Sequence, residues 1–280
     1  MTPAALLKAL EGARDIPSLP QAVGEVQAAI GREDASLDEL AEAVGRDQGL
    51  AARALRVANS SLYGVQGRVS SIRQAMNILG LRTVSTFLTA AAVSERFKHV
   101  RCAQFDLPRY WRHSIGVALC AKDIARRRRL DLDAAFTAGL LHDLGRLLLA
   151  SQAPEAYAAA HQRQSETDCP MIDAERATLG SDHTLLGADI ATRWHFGAPI
   201  VEAIRLHHTP PSSNALSIAE VVHVADNIVH ALDVANDPNE MVPTMDSSAW
   251  NRVALSQGEI LLVFSSTEQE LDDACAALAV

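Results

Sequence analysis

The sequence predicts an all-α protein, and three observations carry that prediction. Ala and Leu dominate a chain that is 48% hydrophobic and only 4% aromatic, and both are strong helix formers. Apolar residues recur three and four apart, the spacing of one helix face. The one rival for a strand is EILLVF at 259–264, which is short. With 280 residues, the chain is long enough for one large domain or two smaller ones sharing an interface.

Taken in order, the first hundred residues read as short helices broken by turns. Pro17 and Pro20 open the first, Val23, Val26 and Ile30 line one side, and Gly31 closes it. Ser36 caps the next, and Glu39 at its third position completes a capping box. SLDELAEAVGRDQGLAARALRVANSSLYG gives two helices in a helix-turn-helix-like arrangement. Leu37, Leu40 and Val44 face inward from one, and Leu50, Ala54, Leu55 and Val57 from the other. The acidic face of Asp38, Glu39 and Glu42 argues against DNA as a ligand and for ordinary helix packing. A further stretch carries Ile72, Met76 and Leu79 before a break at Gly80. These stripes hold no inward polar cluster, so packing and partner recognition are expected here, including at Asn59 and Tyr63. From Leu107 the chain reads as helical to about Leu232, followed by the polar connection ANDPNEMVPTMDSS and a final helical segment.

Composition narrows the function. No apolar stretch approaches the roughly 20 residues that span a membrane, and MTPAALLKAL does not read as an export signal. Cys102, Cys120, Cys169 and Cys275 are scattered without a CxxC pair, which favours reduced thiols in the cytoplasm. A net charge of −9 argues against nonspecific nucleic-acid binding. The run Arg126–Arg129 reads as a solvated helix end complementing the helix dipole, with a docking patch for an acidic partner as the alternative.

The chemistry-bearing residues lie on apolar stripes. His113 lines up with Val117, Cys120 and Ile124, and by itself such a histidine is commonly a hydrogen-bonded core residue. In AAFTAGLLHDLGRLLLA only Thr137, His142, Asp143 and Arg146 are polar. A buried, ionised Asp143 needs a metal or a cation, so a structural His–Asp–Arg cluster is the competing reading. His183 falls within the stripe Ile172, Leu179, Leu186, Ile190 and Trp194. His207 and His208 occupy the last turn before Pro210; adjacent helical residues diverge by about 100°, so the two are not expected to bind one ion symmetrically. Asp226 is in register with Val222 and Val229. Its neighbours His223 and His230 are expected on the solvated side, an alternative being a His–Asp–His cluster around Asp226. Five helices thus each direct a His or Asp inward. A mixed imidazole–carboxylate set suits one or two divalent transition metal ions (Fe, Mn, Ni, Co or Zn), with Asp143 bridging a pair.

The order His, His-Asp, His, His-His, Asp resembles the HD superfamily of metal-dependent phosphohydrolases, and specifically the HD-related output domain, HDOD. The likeness covers roughly residues 15 to 235, through IPSLPQAV, DQGLAARALRVANSSLYG, SSIRQAMNILG, WRHS, AFTAGLLHDLGRLLL, LGSDH and AIRLHHTPP. It implies an N-terminal helical subdomain (1–100) packed on an HD-type helical bundle (101–235), with 236–280 as a C-terminal linker and helical extension. The resemblance also implies bacterial signal transduction, in which many members have no established catalysis. Here the family domain is expected to fill most of the chain, so that the signal comes from a separate signalling protein or a small-molecule or nucleotide ligand. The implied metal ligands are His113, His142, Asp143, His183, His207, His208 and Asp226. If the protein is a phosphohydrolase, with water activated by the metal as nucleophile, Asp143 and Arg146 carry the catalysis. The related cyclic di-GMP phosphodiesterases follow the paired His with a glutamate and a Gly-Tyr-Pro signature; here Thr209, Pro210 and Pro211 follow, which speaks against that activity. Arg146 stands where those enzymes place a lysine. A purely structural helical scaffold without metal is the third reading.

Overall fold

The computed structural model describes residues 19–30, 32, 34–60, 69–211, 215–237 and 241–278. The expected features at Pro17, Gly31 and Tyr63 lie outside these residues. Among the described residues the chain is all-α, with no strand. It divides into two compact units, residues 99–267 and residues 19–98 with 268–278.

The smaller unit contains α1 (Gln21–Ala29), α2 (Leu37–Gly45), α3 (Gln48–Ala58), α4 (Ile72–Leu79) and α5 (Leu81–Arg96). Their boundaries follow the capping chemistry: Ser36 accepts from the Glu39 N–H, Asp47 from Leu50 and Ser71 from Gln74. Gly80 separates α4 from α5, as expected. Helix α5 is buried on every side from Thr83 to Ser94, and α1, α3 and α4 pack against it. Asn59 donates to the carbonyls of Leu55 (3.0 Å) and Val69 (2.7 Å) and accepts from the Val69 N–H (3.1 Å).

In the larger unit, α6 (Leu107–Arg128) packs on α7 (Leu132–Leu141) and on α13 (Ile218–Ala231). Helices α8 (Leu144–Gln152), α9 (Pro154–Thr167), α10 (Met171–Leu179), α11 (His183–Arg193) and α12 (Ala198–Leu206) come between them in the chain, and α14 (Ser247–Val253) follows. The last helix, α15 (Gln257–Leu278), contains EILLVF, so the rival strand is helical. The arginine run is not simply solvated. Arg126 and Arg127 pair with Asp123, and Arg128 binds Glu259 and the carbonyls of Val253 and Ala254.

Two helices read as continuous are broken, and both breaks matter for the site. AAFTAGLLHDLGRLLLA splits into α7 and α8, with His142 and Asp143 in the junction. A Cβ on Gly139 would stand 2.8 Å from the Ala118 Cα of α6, and one on Gly145 would stand 1.9 Å from the His183 carbonyl oxygen. Only glycine permits these approaches, which bring α6 and the start of α11 against the junction. The Ile172–Trp194 stripe also crosses a break. Gly180 is left-handed (φ 69°), and Asp182 starts α11 afresh by accepting from the N–H groups of Thr184 and Leu185.

Candidate metal centre

Four elements of the larger unit deliver the histidines and aspartates singled out from the sequence, together with the α7–α8 junction. His113 comes from α6, His183 from the first residue of α11, His207 and His208 from just past α12, and Asp226 from α13. All are buried except His208, which is intermediate. Within this constellation Asp226 Oδ1 lies 3.0 Å from His113 Nε2 and 3.5 Å from His142 Nε2. Asp143 Oδ1 lies 3.4 Å from His183 Nε2 and 3.8 Å from His207 Nε2, while Asp143 Oδ2 takes a 2.8 Å hydrogen bond from Arg146. Asp143 Oδ2 also lies 3.8 Å from His142 Nε2, so Asp143 is shared between both ends of the centre.

His207 caps α12 with helical backbone angles, yet the rings of His207 and His208 lie 4.2 Å apart between centroids and do not diverge. Donor atoms of His183, His207 and His208 all fall within 4.8 Å of one another, as do those of His113, His142 and Asp143. The expectation that His223 and His230 face solvent is overturned. His223 is buried and bonds the His207 carbonyl through Nδ1 (2.7 Å), while its Nε2 accepts from the Asp246 N–H (2.8 Å). His230 Nε2 lies 3.3 Å from Asp226 Oδ1. The reason is that α13 is buried nearly all round, packed against α6, α7, α12 and α14, and so has no wide solvated stripe.

One residue of the candidate site is not singled out by the sequence analysis. Glu175, fully buried on α10, accepts from both the backbone N–H (2.8 Å) and Nδ1 (2.6 Å) of His183. It orients the imidazole and leaves Nε2 aimed at Asp143, as a carboxylate behind a metal-ligating histidine does. Its signal was present: Glu175 lies between Ile172 and Leu179 at three and four residues, on their buried face.

The electrostatics follow from this crowding. Burial pushes the Asp143 carboxyl up, but Arg146 and the histidines 142, 183 and 207 outweigh it and hold the group well below the usual carboxylate range. Asp226 is likewise held down against burial by His230, His113 and His142. Burial, then His208, keeps His207 neutral far below its ordinary value, and burial with His183 pushes His208 down to about 3. His183 is raised: burial opposes its charge, but Glu175 and Asp143 prevail.

The residues fit a divalent transition metal. His142 and His207 donate Nδ1–H to the carbonyls of Gly139 (2.7 Å) and Ile204 (2.9 Å), so their Nε2 atoms present lone pairs to the interior. The His207 Nε2 is buried with no hydrogen-bond partner, an expensive state that a cation relieves. None of the four cysteines joins these clusters among the described residues, and an N/O donor set matches borderline divalent ions.

Comparison with known proteins bears on the family and the fold. Residues 16–210 match the HDOD domain family. A solved HDOD domain protein of unknown function from Geobacter sulfurreducens superposes with a TM-score of 0.76 at 25% identity, covering 96% of this chain and 95% of that one. A protein from Shewanella amazonensis SB2B, described as a candidate phosphohydrolase, superposes with a TM-score of 0.68 at 25% identity, covering 95% and 98%. An uncharacterised protein of Treponema pallidum is 26% identical over 236 residues, 82% of this chain and 45% of that protein. The chain spans less than half the length of the curated relatives it matches.

Proposed function

Because this chain belongs to the HDOD domain family, we propose that it is a signal-transduction domain holding one or two divalent transition metal ions in its HD-type centre, with metal occupancy read through its C-terminal segment. One observation carries this reading, the hydrogen-bond chain that leaves the centre. The His207 carbonyl accepts from His223, and His223 accepts from Asp246, the residue that caps α14. Nearby, Arg252 of α14 bonds both Glu220 and the Pro211 carbonyl, just after the paired histidines. Any shift of the His207–His208 turn is thus coupled to α14, which lies outside the family-matched residues. A separate signalling protein or a small-molecule or nucleotide ligand would respond to that change.

A second reading, a metal-dependent phosphohydrolase acting on a nucleotide or other phosphoester, is favoured by Arg146 beside Asp143 and by the likeness to the Shewanella protein. Ions bound there would supply Lewis acidity and lower the pKa of a water. In this reading Asp143 holds the site's charge, and Arg146 orients a phosphoryl oxygen through its guanidinium. However, the Thr209-Pro210-Pro211 sequence after the paired histidines speaks against cyclic di-GMP as the substrate, and the hydrogen-bond chain to α14 favours the regulatory role.

The test is metal analysis of untagged protein, followed by a panel of phosphoesters including cyclic di-GMP and RNA. The regulatory reading expects bound metal that is lost in Asp143→Ala, slower hydrogen exchange over residues 246–253 on metal loading, and no turnover. Metal-dependent turnover abolished by Asp143→Ala, and lowered by Arg146→Ala with metal retained, would establish the hydrolase instead.

A further inference from the structure

Beyond the seven ligands implied by the family pattern, an eighth donor stands at the Asp226 end. His230 lies one turn after Asp226 on α13, four residues on and therefore on the same face. Three imidazoles surround a single carboxylate oxygen: His113, His230 and His142 place Nε2 3.0, 3.3 and 3.5 Å from Asp226 Oδ1. The rings of His113 and His230 stand 4.4 Å apart between centroids, and the donor atoms of His113, Asp226 and His230 lie within 4.8 Å of one another.

An ion-pair role for His230 leaves this crowding unexplained. Asp226 carries one negative charge, and protonating neighbouring imidazoles around it sets like charges against each other. A divalent cation accepts several neutral imidazoles at once, because each offers a lone pair.

We propose that His230 is a metal ligand, forming with His113 and Asp226 a position for a borderline divalent cation of the Mn, Fe, Co, Ni or Zn class. This rests on the reading that the centre binds metal. The side chains of His113 and Asp226 are 9% and 2% exposed, whereas that of His230 is 16% exposed, so His230 is the most open donor of the three.

The experiment is titration of the full chain with Co(II), reading equivalents bound and the visible d–d absorption. Wild type is compared with His230→Gln, with His230→Asp, which restores an oxygen ligand, and with His161→Gln as a control imidazole. His230→Gln should weaken Co(II) at one position by more than about tenfold and alter the d–d bands. Binding at the His183, His207 and His208 end should persist, His230→Asp should recover part of the affinity, and His161→Gln should behave as wild type. A His230→Gln protein with wild-type affinity and spectrum overturns this assignment alone. A wild type that binds no Co(II) overturns the metal reading and the assignment with it.

Discussion

Among the described residues of 19–98 the buried polar side chains are Thr83, Ser85, Thr86, Thr89 and Ser94, all hydroxyls. In residues 99–267 they include His113, His142, Asp143, Glu175, Asp182, His183, His207, Glu220, His223 and Asp226. Both regions are helical, and both cap their helices with Ser and Asp. A buried hydroxyl can be satisfied inside its own helix: Thr86, Thr89 and Ser94 each donate to a carbonyl three or four residues back. A buried imidazole or carboxylate needs a partner from elsewhere, or its desolvation goes uncompensated. Helices that bury hydroxyls are set by local chemistry, whereas those around Asp143 and Asp226 must converge for any of these groups to be tolerated.

The contrast is sharpest at Glu175, which touches His183 and stands behind it relative to Asp143. Glu175→Ala should leave the Nδ1 of His183 without its acceptor and weaken divalent-metal affinity by about 10–100-fold. Isothermal titration with Mn(II) or Co(II) would read the change, and Glu175→Gln, which keeps an acceptor, should lose less. An unchanged affinity in Glu175→Ala would mean that His183 is oriented by packing alone. At Asn59 the opposite outcome is expected. Asn59→Ala removes three hydrogen bonds to the backbone of Leu55 and Val69, which should cost about 1–3 kcal/mol of stability in denaturant unfolding. Its metal content should equal that of wild type; metal loss in this variant would break the separation between the two regions.

Much of this contrast was legible in the sequence, for a physical reason. A polar residue on an apolar stripe is informative wherever the helix is regular, so spacing alone places His113 and Asp226 inward; His183 is buried too, although its stripe crosses the break at Gly180. The method fails where a helix stops. Beside the α7–α8 junction Gly145 lies against the His183 carbonyl, a tertiary contact that periodicity does not encode. Helical spacing likewise sets His207 and His208 apart, whereas their rings lie 4.2 Å apart between centroids. His223 and His230 look solvent-facing by polarity, yet they sit on a helix that is covered nearly all round. Glu175 was on its stripe and was missed because a glutamate on a helix is ordinarily read as solvent-facing.

The smallest expected effect belongs to an ion pair of the larger unit remote from the metal centre. Arg128, at the end of α6, makes 3.0 Å contacts with both oxygens of Glu259, which also accepts from the N–H and hydroxyl of Ser256 at the start of α15. The Arg128 hydrogen bond, then the Ser256 N–H, holds the Glu259 carboxyl at about 2, below its ordinary 4.5. A carboxyl with a depressed folded pKa binds fewer protons folded than unfolded over that interval. Its contribution is therefore complete above pH 4.5 and is lost as pH falls towards 2. Glu259→Gln should be slightly less stable than wild type at neutral pH, and the two unfolding midpoints should converge as pH falls through this window. Because the pair is only partly buried, added salt should shrink the neutral-pH difference, whereas metal affinity at the buried centre should respond less. A difference in midpoint that stays constant from pH 7 to pH 2 would show that Glu259 acts through packing and not through its charge.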